Sequence, residues 1–263
     1  MSEKTYTRGP EPGGTFPSIG DLFNETVAEF SDNMSAYIMA GLGQVLVLVP
    51  VLIVGMFAIY FLMFGGMFGV ILGGVGIGAL LAEMVNEVLG ISVIFASYLL
   101  SFLVPIVILM GGVGILITVL APFNASLLRA VAAHQRGEKD IDIPGVFATL
   151  NQDLGNVIGV GILLGMLTVL GLSLCYLPAL LVTLVLGFAS ARVALHRKGP
   201  FESLQTAASH FSAHISWYVT FGVVYIGLSM VASYVPILGS AFLLAFHTRA
   251  YRKVFGDGET AVI

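Results

Sequence analysis

Polar and apolar positions along this chain fall into long blocks. Residues 34–82 contain no Lys, Arg, Asp, Glu or His, and neither do residues 88–128. Each block far exceeds the roughly 20 residues that a helix needs to cross the hydrocarbon of a bilayer. Strands of a membrane barrel would alternate polar and apolar side chains, and these blocks do not alternate. A multi-pass helical membrane protein follows, because a helix satisfies its own backbone hydrogen bonds where no water is present.

Segments with a different period lie between the apolar blocks. Three align without gaps: DLFNETVAEFSDNMSAY from Asp21, GVFATLNQDLGNVIGVG from Gly145 and ESLQTAASHFSAHISWY from Glu202. The alignment superposes Phe23, Phe147 and Leu204, then Phe30, Leu154 and Phe211, then Met34, Ile158 and Ile215. Spacings of seven and four put these side chains on one helical face. The opposite face carries Asn24, Glu25 and Asp32 in the first segment, Gln152 and Asp153 in the second, and Gln205, Ser209 and His210 in the third. Each segment therefore reads as an amphipathic helix lying in the membrane interface just before the chain enters lipid. Ser18, three residues before Asp21, fits the N-cap of the first.

A second match supports internal repetition. CYLPAL from Cys175 and SYVPIL from Ser233 each hold a Tyr two residues before a Pro between apolar runs, which suits a hairpin turn. They lie 58 residues apart (233 minus 175), close to the 57 between the second and third amphipathic segments (202 minus 145). Identities among the segments are few, so chance amphipathicity competes with true repetition.

The expected architecture is all-α and polytopic. A single transmembrane domain, 18–254, divides into units 18–143, 144–199 and 200–254, between a disordered tail, 1–17, and a short tail, 255–263. Residues 1–15 are polar and rich in Gly and Pro, unlike a signal peptide. The second unit holds spans at 156–174 and from a turn near Pro178 to 195; the third holds spans at 215–232 and 236–251. The first unit is longer by 67 residues (145 minus 21 is 124, less 57), an excess that is apolar apart from Glu83, Asn86 and Glu87. Four crossings at 36–61, 65–82, 91–110 and 113–132, with a turn near Gly111, bring the total to eight. The alternative is six crossings plus a re-entrant Gly-rich segment.

Composition agrees, with 57% hydrophobic and 10% charged residues, against about a quarter charged in a soluble domain. Nothing in the charge balance supports nucleic-acid binding. Apart from Lys4 and Arg8, every basic residue falls in one of three clusters that close the units: Arg129, Arg136 and Lys139; Arg192, Arg197 and Lys198; Arg249, Arg252 and Lys253. An even number of crossings puts all three on one side, which the positive-inside rule makes the cytoplasm, together with both termini and the amphipathic helices. The clusters are candidate contacts for anionic lipid and equally serve as topological anchors. His134, His196 and His247, beside them, are expected to face headgroups. Cys175 reads as a small apolar filler.

Candidate chemistry is sparse, and no catalytic set, cofactor motif or metal site is expected. Gly65, Gly69 and Gly73 recur four apart, as do Gly74 and Gly78. Such a side-chain-free helical face suits packing within the molecule first, and an oligomer face or pore second. Glu83 and Glu87, four apart, are the only acids outside the clusters, tails and amphipathic segments. Held inside the membrane they would bind a proton or cation; beside Asn86 at the end of an apolar run they read first as a solvated helix end. His210 and His214 have metal-chelating spacing but no accompanying acid, and a polar interfacial face explains them better. Ser92, Ser97 and Ser101 suit hydrogen bonds between helices. Pro50 and Pro105 lie inside spans and are expected to kink them.

The segment PFESLQTAASHFSAHISWY and the basic ending RVALHRKGP carry a resemblance. A polar helix, an apolar hairpin and a basic closing segment, repeated, resemble a loose group of uncharacterised bacterial membrane proteins, including the membrane domain fused to some glycerophosphodiester phosphodiesterases. The resemblance implies a helical module of a bacterial inner membrane with no assigned chemistry; the residues of the catalytic domain have no counterpart here, so no phosphodiesterase activity carries over. The expected function is a non-enzymatic module that binds membrane lipids or protein partners, alone or as a homo-oligomer. The alternative is a channel or transporter working through the Gly-rich helix, Glu83 and Glu87.

Overall fold

The computed structural model describes residues 16–174 and 176–256, with the backbone alone for 172–183. Among these residues every regular element is an α-helix: α1 Ile19–Asp32, α2 Met34–Met84, α3 Glu87–Gln135, α4 Ile143–Ala148, α5 Leu154–Leu174, α6 Tyr176–His196, α7 Pro200–Ala213, α8 Ile215–Ala232 and α9 Pro236–Phe255. The tail 1–15, Cys175 and residues 257–263 lie outside the described residues.

Helix α1 starts where the sequence places its cap. Ser18 is extended, and its hydroxyl accepts from the Asp21 N–H at 3.0 Å, which satisfies one of the donors that a helix start leaves free. The helix ends at Asn33, whose side chain donates back to the Glu29 carbonyl. Helix α7 matches α1 residue for residue at an offset of 181: both have 14 residues, and the next helix begins at Met34 in one case and Ile215 in the other. The buried positions match as well, Leu22 and Thr26 against Ser203 and Ala207. So does a bridge over the break, since Tyr37 donates to Glu29 at 2.6 Å while His210 Nδ1 meets the Tyr218 hydroxyl at 3.0 Å.

The second amphipathic segment departs from this pattern. Instead of one helix from Gly145, the chain forms the six-residue α4, turns through 149–153 and enters α5 at Leu154. Asn151, Gln152 and Asp153 are turn-prone, and Asp153 adopts φ +53°, a left-handed conformation that Asp tolerates better than most residues.

Helices α5 with α6 and α8 with α9 form the two short hairpins, and α8 and α9 begin and turn at the residues expected of them. In the first unit the division into four crossings is corrected. Helices α2 and α3 are continuous over 51 and 49 residues, through Pro50, Pro105 and the region of Gly111. At about 1.5 Å per residue α2 is about 76 Å long, against a hydrocarbon core of about 30 Å. Glycine alone does not stop a helix flanked by strong apolar formers; a polar cap does. That cap is Asn86, whose side chain accepts from the Val88 N–H at 2.7 Å.

The described chain divides into two compact units. In the first, made of the described residues within Met1–Leu48 and Ile117–Ile263, the core gathers on Phe188, which is fully buried and packs edge-on against Tyr218 and Phe221. Phe221 stacks on Trp217 and Phe246. Trp217 in turn donates to the Pro17 carbonyl, and Phe16 lies 4.2 Å from the His214 ring, so these last residues of the expected tail are docked. The second unit, Val49–Leu116, is the far part of the α2–α3 hairpin.

Candidate functional site

The expected site residues of the hairpin separate into two groups. Gly74 and Gly78, joined by Gly66, which the sequence pattern did not single out, lie where α3 comes closest. A Cβ on Gly66 would stand 2.8 Å from Val104, one on Gly74 would strike Ser97, and one on Gly78 would meet Gly90 and Ile94. Gly65, Gly69 and Gly73 have no atom within 4 Å of where a Cβ would stand. The single glycine face of the sequence is thus two faces, one closing the hairpin and one open.

Glu83 and Glu87 are not brought together on one helical face. Glu83 lies in the last turn of α2 and Glu87 begins α3, with the turn at Val85 and Asn86 between them, and both are exposed. Ser92, Ser97 and Ser101 donate to carbonyls of their own helix, at Val88, Val93 and Tyr98, rather than across the hairpin. Their hydroxyls are satisfied locally, which leaves small side chains for α2 to approach.

The basic clusters are largely engaged within the protein. Arg249 pairs with Glu25 at 3.0 Å and with Glu29, and Lys253 reaches Glu25 at 3.1 Å. Arg192 and Lys198 both approach Glu202, at 3.9 and 4.0 Å. Arg129 lies 3.8 Å from Asp153, which Arg197 meets at 3.4 Å. Arg136 grips Glu138 with two bonds, and Arg252 donates to Gln135 at 3.3 Å. The Arg129, Arg192 and Arg249 side chains are at most 19% exposed, so they pin helices together and present little charge outward. Arg197, Lys198 and Lys253 are about half exposed. Among the described residues, Asp153 and Arg197 are the two non-glycine residues with left-handed φ, each +53°; such residues cost on the order of 1–3 kcal/mol, and here they face each other.

The histidines also move inward. His134 is buried edge-on to Tyr37, and His196 is edge-on to Tyr251. His210 and His214 pack at tilted angles against Phe16, and His210 also against Phe255; burial first, then the neighbouring His214, holds the His210 pKa below its ordinary value. His247 turns into the bundle and reaches the Gly187 carbonyl at 3.3 Å. A Cβ on residue 187 would stand 3.1 Å from that ring, so glycine makes the approach possible.

His247 lines the feature that the sequence reading missed. A cavity of about 450 Å³ opens among α2, α3, α6, α8 and α9, with Gln44, Asn124, Ser190, Tyr225, Ser229, Ser240 and His247 on its wall beside Leu128, Leu184, Phe221 and Leu243. Its volume falls within the ~300–1,000 Å³ usual for small-molecule sites. No Lys, Arg, Asp or Glu lines it among the described residues. Gln44 Oε1 is buried without a hydrogen-bond partner, a loss of about 1–3 kcal/mol. A signal was present in the sequence: Gln44 is the only Asn or Gln in 34–82, and Asn124 the only one in 88–128. Each lies about 16 Å along its helix from the nearer end, at about 1.5 Å per residue, so the two polar positions fall at one depth.

Fold and site together define an all-helical protein with four helices, α2, α3, α5 and α8, long and apolar enough to cross a membrane. Compared with known proteins, the chain matches no family model, no curated relative and no solved structure.

Proposed function

We propose that the protein is a non-enzymatic integral membrane module that organises its surroundings by self-association along the α2–α3 hairpin. The observation that carries this reading is the open row of Gly65, Gly69 and Gly73 on a hairpin whose large side chains are uncovered, with Phe61 80% and Leu72 70% exposed. In lipid, association depends on close backbone approach, and a row of small residues four apart permits it. The length of α2 adds to the case. Its 51 residues exceed one straight crossing, and the surplus is apolar, so a second hairpin of the same kind gives it a matching surface.

In this reading the chain crosses a bacterial inner membrane with six helices in three hairpins. Both termini, α1, α7 and the basic helix ends lie on the cytoplasmic side, following the positive-inside rule. The matching frames of α1 and α7 support internal repetition, and both helices rest in the interface beneath their hairpins. The likeness to bacterial membrane modules without assigned chemistry is part of this proposal. The channel reading has less support, because Glu83 and Glu87 are exposed on either side of a turn.

The test is energy transfer between donor- and acceptor-labelled copies in liposomes as lipid is added. Transfer that persists on dilution is expected for the parent, with Gly69→Leu weakening association by at least tenfold while thermal stability in detergent is kept. Transfer that falls to the random-proximity level for the parent, or that is unchanged in Gly69→Leu, would overturn the proposal.

A further inference from the structure

We infer that the cavity among α2, α3, α6, α8 and α9 binds the uncharged, hydroxyl-rich headgroup of a membrane lipid, in particular a glycosylated diacylglycerol. Ser190, Ser229 and Ser240 each spend the hydroxyl proton on a carbonyl of their own helix, at Gly187 (2.9 Å), Tyr225 (2.7 Å) and Ile237 (3.2 Å). What these side chains keep free is oxygen lone pairs. Gln44 adds an amide oxygen without a partner. The wall therefore sets these acceptors beside the amide and hydroxyl donor groups of Gln44, Asn124 and Tyr225, and its natural complement is a ligand with several hydroxyl groups, each able to donate and accept.

Charge narrows the class. No Lys or Arg among the described residues lines the cavity, and the His247 ring nitrogen there is turned to the Gly187 carbonyl, so a phosphate would lose its water without gaining a permanent counter-charge, which is costly in an apolar surrounding. A sugar hydroxyl group loses much less, and regains it in hydrogen bonds to the serines. The apolar part of the same wall, Leu128, Leu184 and Leu243 among it, suits the first carbons of an acyl chain. A lipid reaches such a site from within the bilayer, while a free sugar would come from water; the shared chemistry is the polyol, and the lipid is the source that fits a wall half apolar. This inference does not depend on self-association of the hairpin.

The experiment titrates the purified protein in detergent with dioleoyl monoglucosylglycerol, dioleoylglycerol, dioleoyl phosphatidylglycerol and glucose, and reads bound molecules by native mass spectrometry. The glucosyl lipid is expected to bind one per chain, at least tenfold tighter than phosphatidylglycerol and tighter than dioleoylglycerol, with no retention of glucose. Ser229→Ala and Ser240→Ala together, and Gln44→Leu separately, are expected to weaken the glucosyl lipid by at least tenfold, with Ser209→Ala on α7 unchanged. Small-for-small serine changes keep the fold, which unchanged thermal unfolding verifies. Equal binding of the glucosyl lipid and phosphatidylglycerol, or full retention by the double serine variant, would overturn the assignment; retention of glucose alone would move the site to a soluble polyol and overturn the lipid.

Discussion

The first unit and the far hairpin are both built of apolar helices, yet they are held by different forces. Around Phe188 the helices interlock through large aromatic rings, with Trp217, Phe221 and Phe246 stacked in one run, and their ends are tied by ion pairs such as Arg249 with Glu25 and Glu29. In Val49–Leu116 no aromatic ring is buried, and contact between the helices relies on glycines such as Gly66, Gly74 and Gly78. A structure locked by bulk and charge is specific to its partners within the chain. One closed by the absence of side chains leaves large apolar groups pointing outward, where lipid or another copy must cover them.

The comparison is broken most strongly at Phe188. Phe188→Ala is expected to cost about 3–5 kcal/mol, because six neighbouring rings lose their common partner. Phe102→Ala, on an outward position of the hairpin that is 71% exposed, is expected to stay within about 0.5 kcal/mol. Reversible unfolding in mixed detergent micelles measures both, and equal losses would erase the distinction.

Charge gives a smaller contrast. Arg249→Met leaves Glu29, only 15% exposed, without its cation and is expected to cost about 3 kcal/mol. Lys253→Met removes a half-exposed partner of Glu25 and should cost under about 1 kcal/mol. The same unfolding assay ranks the two, and a Lys253 effect as large as that of Arg249 would mean that burial does not set the energetics.

The smallest effect is one of pH. In the folded protein burial holds the His210 pKa below its ordinary value, whereas the unfolded chain titrates near 6.5. Above about pH 6.5 both states are neutral and the contribution is fully present. As pH falls below that value the unfolded state takes up a proton that the folded state resists, so stability declines. His210→Phe should flatten this slope between about pH 6.5 and 5, and a parent protein more stable at pH 5 than at pH 7 would contradict the assignment.

Several of these features were legible from the residues alone. Ser18 caps α1 as its spacing to Asp21 suggests, and α8 and α9 occupy the stretches marked by Ile215 and Pro236, because caps and prolines act locally. The charge-free blocks define membrane-type helices, since length and apolarity are properties of the sequence. Where to break those blocks was not legible: glycines near 65 and 111 are tolerated in a continuous helix, and only Asn86 supplies a backbone partner at a turn. The second amphipathic segment was misread for a related reason, because the local turn at Asn151–Asp153 overrides a hydrophobic period that continues through it.

What the sequence determined by itself was therefore the class of protein, the positions of the short hairpins and the residue types available. Only the tertiary structure decided which glycines close a helix pair and which stay open, which arginines are spent on carboxylates, and that Gln44, Asn124 and His247 meet around one cavity. The reason is that a helix fixes angles around its own axis, while the direction each face turns is set by neighbours elsewhere in the chain, from Ser97 against Gly74 to Arg249 against Glu25.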